Sequence, residues 1–267
     1  MGKAALNCYN LAMDATNPSQ TILHADPEHQ GLRNSIIVIL IFGVIIGFFV
    51  IRALILWLGA GSLISEFAFF LSCMGSILLA LGLTFGFEAL LKRRWHSGID
   101  VVIDADQVEL TFEKRPSSQP QPNNQAVIWA NRINQTCYYF PLNDYSRSGR
   151  EKRLSDKWFC FVCELHQDDN RINVFAYLPP AQANIWTADD SLMEPFHKIN
   201  QKTLYADKSR FRFGPPTRPE IPNEILTGKD GRFWLAERRR WQRGVELTAV
   251  DFETFMQTVK NKTKEQE

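Results

Sequence analysis

The chain of 267 residues has little net charge, and this narrows the classes of partner it could have. Lys and Arg number 30 and Asp and Glu number 29, so the formal net charge is only +1. A balance of this kind produces no strong overall field to attract nucleic acid or acidic substrates. We therefore expect no nucleic-acid partner.

Cysteine is also scarce, and its arrangement argues against a disulfide framework. The chain has an odd number of cysteines without regular spacing, and one of them lies in an apolar run. Both features favour a reducing, cytosolic compartment. The cysteines are Cys8, Cys73, Cys137, Cys160 and Cys163.

Cys160-x-x-Cys163-x-x-His166 is the one arrangement that resembles a metal site. Zinc would require a fourth ligand and a tight turn that brings the two thiolates together. This segment has the composition of a strand, in which residues three apart point to opposite faces. We interpret the cysteines as buried structural residues and predict no metal and no cofactor.

Sequence patterns of catalysis are likewise missing. The chain contains no glycine-rich phosphate loop, nucleophile elbow or HExxH pattern. His166 stands beside Asp168 and Asp169 in a polar segment, where turn formation explains these residues better than acid–base chemistry does. We therefore expect no catalytic residue and no enzymatic activity.

Two long apolar runs lie within residues 35–91. The first, residues 35–58, contains one charge, and the second, residues 67–87, contains none. Each is long enough to cross the hydrocarbon core of a bilayer, which needs about 20 residues. Each is also apolar all round, unlike a helix that packs on a soluble core. We predict a hairpin of two transmembrane helices, preceded by a polar, flexible leader over residues 1–34 that is not a signal peptide.

Basic residues predict the orientation of this hairpin. Lys92, Arg93 and Arg94 directly follow the second run, and Trp95 suits a membrane interface. The short segment between the runs contains no Lys or Arg. By the positive-inside rule, both termini and the following domain face the cytoplasm. The expected location is the cell membrane, with the chain as a multi-pass protein.

Two features inside the apolar runs have alternative interpretations. Arg52, near the outer end of the first run, is explained by snorkelling to the headgroups or by pairing with Glu66, in preference to a role in a relay or pore. Small residues recur at four-residue spacing, which favours packing inside the hairpin over association with a second copy or another protein. These pairs are Gly43 and Gly47, Ser72 and Ser76, and Gly82 and Gly86.

From Gly98 onward the pattern is typical of β-strands. Apolar and polar residues alternate in the second of two runs joined by a short turn, which predicts a hairpin over residues 99–112. Two further strand-like runs flank a polar turn at residues 166–170, which predicts a second hairpin over residues 158–177. Further strands are predicted over residues 126–130 and 136–140. We expect a cytosolic β-rich domain over residues 92–205.

The last part, residues 206–267, is predicted to contain a Pro-rich linker and C-terminal helices. One helix is expected over residues 231–243. Another is expected to begin near Thr248, which precedes Asp251 at the spacing of a helix cap. An apolar stripe at helical spacing supports this second helix. The stripe consists of Phe252, Phe255, Met256 and Val259.

A second basic cluster falls within the first of these helices. Each basic residue near an anionic membrane contributes about 1 kcal/mol, so the cluster and the basic junction are candidate lipid-facing segments. The favoured alternative is a helix that docks its Trp residues on the domain core and exposes a solvated charged face. The candidate residues are Lys92, Arg93, Arg94, Trp95, Arg238, Arg239, Arg240 and Trp241.

The order of these features resembles bacterial two-span membrane proteins with a pleckstrin-homology-like cytosolic domain. The resemblance covers roughly residues 35–200 and concerns architecture. It implies an α+β membrane protein with a transmembrane hairpin, a mostly antiparallel β domain (a PH-like barrel or sandwich) and C-terminal helices. The residues that carry it are Lys92–Arg94, the GIDVVIDADQVEL hairpin, Phe140–Leu142 and the hairpin from Trp158 to Leu178 and Pro179.

These observations lead us to expect a membrane-anchored cytosolic binding or scaffolding module without catalytic activity. Membrane lipid is the expected partner, and the transmembrane helices could in addition bind a protein or a second copy of the chain. The alternatives are a small membrane subunit of a larger complex and an enzyme whose site is assembled from dispersed residues.

Overall fold

The computed structural model describes residues 20–58, 66–113, 125–143, 149–187, 196–205 and 220–265. The chain divides into two compact units, one of residues 24–99 and one of residues 1–23 and 100–267. The predicted reversal between the apolar runs and most of the predicted Pro-rich linker lie outside the described residues.

The unit of residues 24–99 contains two long helices, α1 (Gln30–Leu58) and α2 (Ala68–Arg94). By length and composition, both could cross a membrane. Only 6% of the most apolar window of α1 and 22% of that of α2 is buried. The two predicted runs coincide with these helices, although α1 begins earlier and α2 ends later than predicted.

Small residues lie where α1 and α2 face each other. A Cβ atom added at Gly43 would lie 3.2 Å from the Cβ of Ala80, and one at Gly47 would lie 3.4 Å from the Cβ of Ser76. A larger side chain at either glycine would therefore have to push the helices apart. Packing within the hairpin, the favoured interpretation, is thus correct for Gly43, Gly47 and Ser76.

Gly82 and Gly86 have different surroundings. A Cβ atom added at either residue would have no neighbour within 4 Å among the atoms of the described chain. These glycines therefore do not bring α1 and α2 together, although they belong to the same kind of sequence pattern.

Nine strands occur in the described residues, and they form two sheets. The four-stranded sheet has the order β1–β2–β3–β4, and the five-stranded sheet has the order β8–β5–β6–β7–β9. In chain order the strands are β1 Thr21–His24, β2 Ile99–Ile103, β3 Gln107–Phe112, β4 Gln125–Ile128, β5 Asn134–Pro141, β6 Phe159–Gln167, β7 Asn170–Leu178, β8 His197–Lys198 and β9 Val245–Glu246.

The hairpin of β6 and β7 is the centre of the five-stranded sheet. The two strands are antiparallel and pair along their whole length, from Phe159 opposite Leu178 to Gln167 opposite Asn170. Asp168 in the turn has a φ of 51°, a left-handed conformation that Asp tolerates better than most residues. The hairpin predicted here from two strand-like runs and the polar turn between them is confirmed.

Shorter helices follow the β6–β7 hairpin. They are α3 Pro180–Thr187, α4 Lys202–Tyr205, α5 Asn223–Thr227, α6 Gly231–Arg243 and α7 Ala249–Lys264, and a 3₁₀ helix at Gly149–Arg153 precedes β6. Helix α7 begins as predicted, because the Thr248 hydroxyl accepts a hydrogen bond from the Asp251 N–H at 3.2 Å. Its predicted apolar stripe is buried.

Helices cover both faces of the five-stranded sheet. On one face, Tyr138, Phe140 and Cys160 pack with Phe233 and Trp234 of α6. On the other face, the ring of Phe161 lies 5.6 Å from that of Trp186 in α3, which in turn stacks on Phe252 of α7 at 5.4 Å. The sheet is therefore the middle layer of the core.

Gln167, at the end of β6, connects the two sheets. Its side-chain Oε1 accepts a hydrogen bond from the Ile128 N–H at 2.9 Å, and its Nε2 donates to the Ile128 carbonyl at 3.0 Å. The amide thus satisfies both backbone groups of the last residue of β4, as a neighbouring strand would.

The β domain was predicted as a PH-like barrel or a sandwich, and of these two forms the closed barrel is wrong. Within the ranges described, β4 ends one sheet and β5 begins another, and each sheet has two end strands, so no barrel closes. Alternation in a sequence identifies the buried face of each strand but does not say which strands pair. The chain instead has a mixed α+β architecture, with two apolar helices, two sheets and C-terminal helices.

The segment predicted as a flexible leader contains ordered structure. Strand β1 lies in it and joins the edge of the four-stranded sheet, and α1 begins at Gln30. Leu23 and Ala25 are buried. A four-residue strand in a polar segment gives too short a pattern for sequence analysis to detect.

Candidate functional site: the basic segments and a cavity beside β5

The basic residues at the end of α2 differ in their contacts. The Nζ atom of Lys92 lies 2.7 Å from Glu88 Oε1 and 3.3 Å from Glu28 Oε1. Arg93 and Arg94 are exposed. All three also offset the partial negative charge of the carbonyl groups at the C-terminal end of the helix. Of this group, Arg93 and Arg94 are the cations best placed to contact an external anion.

Aromatic and imidazole rings surround the end of α2. Trp95 is 42% exposed, and its ring meets the ring of His29 edge to face at 5.1 Å. His24 stacks on His96 at 3.8 Å. An exposed Trp next to basic residues at the end of an apolar helix is typical of a membrane interface. Sequence analysis missed the two leader histidines because they are distant from Trp95 and His96 along the chain.

Arg240 of α6 lies in the core and not on the surface. It is 2% exposed, its Nε donates to Glu237 Oε2 at 2.7 Å, and its Nη2 lies 3.3 Å from Glu151 Oε1. The guanidinium also lies 4.9 Å from the centre of the Phe175 ring. A guanidinium buried in this way has no surface to present to a lipid headgroup.

Two tyrosines extend the contacts of Arg240 into a buried network. The Tyr138 hydroxyl donates to Glu237 Oε2 at 2.9 Å, and the Tyr177 hydroxyl donates to Glu151 Oε1 at 3.3 Å. The network therefore consists of one cation, two carboxylates and two phenols, drawn from β5, β7, α6 and the 3₁₀ helix. Such buried networks impose a specific arrangement on the elements that contribute to them.

Burial determines the protonation states in this network. Burial raises the pKa of Tyr138 well above its usual value of about 10, and the Glu237 carboxylate raises it further. Burial also raises the pKa of Tyr177, and Glu151 adds to the effect. For Arg240, burial alone would lower the pKa, but Glu237, together with smaller contributions from Cys160 and Tyr177, outweighs burial and raises the pKa well above its usual value. Both phenols are thus neutral donors and the guanidinium is charged.

Arg239, the preceding residue, neutralises a different buried carboxylate. Its Nε and Nη2 atoms donate to the two oxygens of Glu164 at 2.7 and 2.5 Å. Glu164 is 2% exposed and also accepts a hydrogen bond from Asn173 Nδ2 at 3.2 Å. This two-point contact fixes Arg239 against the sheet.

The remaining residues of the second basic cluster lie nearer the surface. Arg238 is exposed and Trp241 is half-buried, whereas Trp234 on the same helix is buried. Helix α6 therefore docks Trp234 on the core, as the alternative to lipid contact predicts. Of the three arginines, Arg238 is the one whose side chain extends from the protein.

A cavity of about 400 Å³ lies beside the N-terminal half of β5. Its lining includes Gln135 and Cys137 of β5, and it also includes His197 and Arg232. The His197 Nε2 lies 3.1 Å from Asp230 Oδ1. The volume is within the range of small-molecule sites, about 300–1,000 Å³. Its lining comes from three separate elements, so sequence analysis did not find it.

The described ranges contain no group of three or more His, Cys, Asp and Glu residues that could hold a metal ion. Cys160 lies opposite Phe140 in β5, whereas Cys163 lies opposite Cys137. The sulfurs of Cys160 and Cys163 therefore diverge to the two faces of the sheet, as predicted. Cys73, Cys137, Cys160 and Cys163 are all thiols.

Comparison with known proteins finds no matching family model, no matching curated protein and no matching solved structure. The likeness to two-span membrane proteins is therefore one of architecture alone: two apolar helices followed by a domain of sheets. A function for the chain has to be argued from its own residues.

Proposed function

We propose that the protein is a membrane-anchored binding or scaffolding module without catalytic activity, in which α1 and α2 cross the bilayer and the α+β part binds a partner in the cytosol. The proposed anchor is supported by one observation: large apolar side chains are exposed all round both helices. Exposed to water, such a surface would cost about 25 cal/mol for each Å². A bilayer removes that cost.

The basic end of α2 supports a cytosolic orientation. Arg93, Arg94 and Trp95 are exposed directly after the apolar part of the helix. Anionic headgroups on the cytosolic leaflet would attract the two arginines, with about 1 kcal/mol for each cation. We propose that this segment contacts lipid and so determines which way the hairpin faces.

The contacts of the charged residues in the α+β part favour binding over catalysis. Arg240 and Arg239 each neutralise a buried carboxylate, and Arg150 Nε lies 2.7 Å from Glu246 Oε1. These pairs are used to hold helices and strands together. A general acid or base, in contrast, must be within reach of a substrate.

Cysteine labelling in intact cells tests the anchor and its orientation. A membrane-impermeant maleimide should not label Cys8 or a Ser155→Cys variant until the membrane is permeabilised, because both positions should face the cytosol. Ser155 is exposed, so a cysteine there will react once the reagent reaches it. A Ser62→Cys variant, between the two helices in sequence, is the matched control and should be labelled from outside. Labelling of Ser155→Cys in intact cells would overturn the orientation, and extraction of the protein by alkaline carbonate would overturn the anchor.

Charge reversal tests the lipid contact. We expect an Arg93→Glu, Arg94→Glu variant, purified in mild detergent, to retain less anionic phospholipid than the unaltered chain, as measured by lipid mass spectrometry. Arg238→Glu is the control, since this exposed arginine lies on α6 and not at the end of the hairpin. Equal lipid retention in all three proteins would contradict headgroup contact at Arg93 and Arg94.

A second candidate, a small subunit of a larger membrane complex, is favoured by one observation. Gly82 and Gly86 give α2 a surface of small residues that the described part of α1 does not cover. Gly82→Leu, Gly86→Leu should then lose a partner that co-purifies with the unaltered chain in mild detergent. A protein that purifies as a lone monomer would contradict this candidate.

A further inference from the structure

We propose that Cys137 and Cys163 form a reversible disulfide when the protein meets a low-molecular-weight disulfide oxidant. The proposed bond would join β5 to β6 in the middle layer of the core. It concerns the α+β part alone and does not depend on the membrane anchor or the binding role proposed above.

The register of the two strands carries this proposal. Strands β5 and β6 are antiparallel, and Cys137 lies directly opposite Cys163. Directly opposed residues in such a pair have Cα atoms about 4.5 or 5.5 Å apart, depending on their hydrogen bonding. Both spacings lie within the roughly 4.4–6.8 Å that a disulfide spans. The two side chains also point to the same face, so the bond requires no change of register.

Cys160, three residues from Cys163, has a different position. Its partner in β5 is Phe140 and its partner in β7 is Tyr177. It therefore lies on the opposite face of β6 and among the apolar residues that pack against α6. A thiol at Cys160 provides an internal comparison on the same strand.

The exposure of the two thiols assigns them different roles. Cys137 borders the 400 Å³ cavity, where Gln135 Nε2 donates a hydrogen bond to its sulfur at 3.0 Å. Cys163 is fully buried. A reagent that enters the cavity therefore meets Cys137 first, and Cys163 can react only with a group already attached to Cys137.

The chemistry is two successive thiol–disulfide exchanges. The Cys137 thiolate attacks one sulfur of glutathione disulfide, which forms a mixed disulfide and releases one glutathione thiolate. The Cys163 thiolate then attacks the Cys137 sulfur, forms the Cys137–Cys163 bond and releases the second glutathione. Two thiols of the protein are oxidised, one glutathione disulfide is reduced, and the two protons pass to the released thiolates.

Such a bond would be present only under oxidising conditions. Disulfides in reducing compartments are mostly transient and respond to changes in redox state. The bond would fix β5 to β6 on either side of the segment that contains the 3₁₀ helix, Gly149–Arg153. It would also change one wall of the cavity, because Cys137 lines it.

Peptide mapping of the full chain tests the proposal. The chain is purified in mild detergent, reduced, incubated with glutathione disulfide, denatured in the presence of N-ethylmaleimide and digested for mass spectrometry. We expect a linked peptide that joins Cys137 to Cys163, no maleimide on either of these residues, maleimide on Cys160 and full reversal by dithiothreitol. Cys160→Ser is the matched control and should give the same linked peptide.

Two single variants test the order of the steps. Cys163→Ser should accumulate glutathione on Cys137, because no second thiol is there to displace it. Cys137→Ser should leave the Cys163 thiol unmodified. In the unaltered chain, a stable glutathione adduct on Cys137 with Cys163 still reduced would overturn the proposal, as would two unmodified thiols. These readouts on the unaltered chain stand even if a variant fails to fold.

Discussion

The two units of this molecule place their residues in opposite ways. In the hairpin, phenylalanine, isoleucine and leucine side chains are exposed, while Gly47, Ser72, Ser76 and Ala80 are buried. In the α+β unit the buried layer is apolar and aromatic, and it also encloses the charged side chain of Arg240 with two carboxylates. One unit therefore has its small residues inside, and the other has large residues and charges inside.

This difference fits the surroundings that we propose for the two units, a bilayer for the hairpin and water for the α+β unit. Helices in a bilayer gain nothing from hiding apolar side chains from lipid, so close backbone approach over small residues holds them together. A unit in water is held by burial of large apolar groups, and a charge inside it is tolerated only if another charge meets it. The contrast predicts that the two units respond to different substitutions.

The largest loss of unfolding free energy is expected from substitution of Arg240. Arg240→Ala would leave Glu237 and Glu151 buried without their cation, which should cost about 3–5 kcal/mol of unfolding free energy. Thermal or urea unfolding in mild detergent, followed by tryptophan fluorescence, would measure it. The neighbouring arginines are graded controls: we expect about 1–3 kcal/mol for Arg239→Ala, since Glu164 is buried, and less than about 0.5 kcal/mol for exposed Arg238→Ala. Equal effects at all three positions would contradict the network.

A loss of stability of intermediate size is expected when a large side chain is introduced between α1 and α2. Gly43→Leu would force a side chain against Ala80, where even a Cβ atom has only 3.2 Å, and overpacking of this kind costs about 1–3 kcal/mol. Gly82→Leu is the matched control, because its added Cβ meets nothing within 4 Å. Spin labels on α1 and α2 should report an increased separation in the first variant and the unaltered distance in the second. An unchanged distance in Gly43→Leu would show that the helices do not pack through this position.

The smallest change in stability near neutral pH is expected from substitution of the two buried tyrosines. Their effect appears at alkaline pH and concerns the α+β unit alone. Because the pKa values of Tyr138 and Tyr177 are raised in the folded state, that state retains protons which the unfolded chain loses above about pH 10. Their contribution to stability is therefore complete below pH 10 and is lost as the pH rises towards the folded-state values. Each phenol should add up to about 1.4 kcal/mol of lost stability per pH unit in that range. Unfolding midpoints at several alkaline pH values should show a shallower decline in Tyr138→Phe, Tyr177→Phe, and an identical decline would refute the assignment.

Sequence analysis was most informative where a pattern is local. The two apolar runs, the β6–β7 hairpin and helix α6, which spans Gly231–Arg243 as predicted, all have a periodicity or composition that a short window reveals. Two-residue strands such as β8 and β9 have no such pattern, because two residues cannot display alternation. The arrangement of strands into two open sheets depends on pairings between distant segments, so it was not predicted.

The candidate site shows the same limit. A run of three arginines looks uniform in the sequence, yet Arg238 is exposed, Arg239 meets Glu164, and Arg240 is buried against Glu237 and Glu151. Consecutive residues on a helix point about 100° apart, so their surroundings differ even when their chemistry is the same. Glu151 and Glu164 are far from these arginines along the chain, and nothing near them in the sequence marks them as partners.

The two shortest strands, β8 and β9, cover part of the exposed edges of the five-stranded sheet. Each runs parallel to its neighbour and pairs with only two of its residues: β8 beside Tyr138 and Tyr139, and β9 beside Val174 and Phe175. They stand at the two ends of the strand order and cover two residues each of the outer edges of β5 and β7, where unpaired backbone groups can recruit strands from other molecules. Both follow the strands that they cover in the chain, and β9 is the last strand of the described residues. The outer edge of β7 therefore stays open at Val174 and Phe175 until Val245 and Glu246 pair with it.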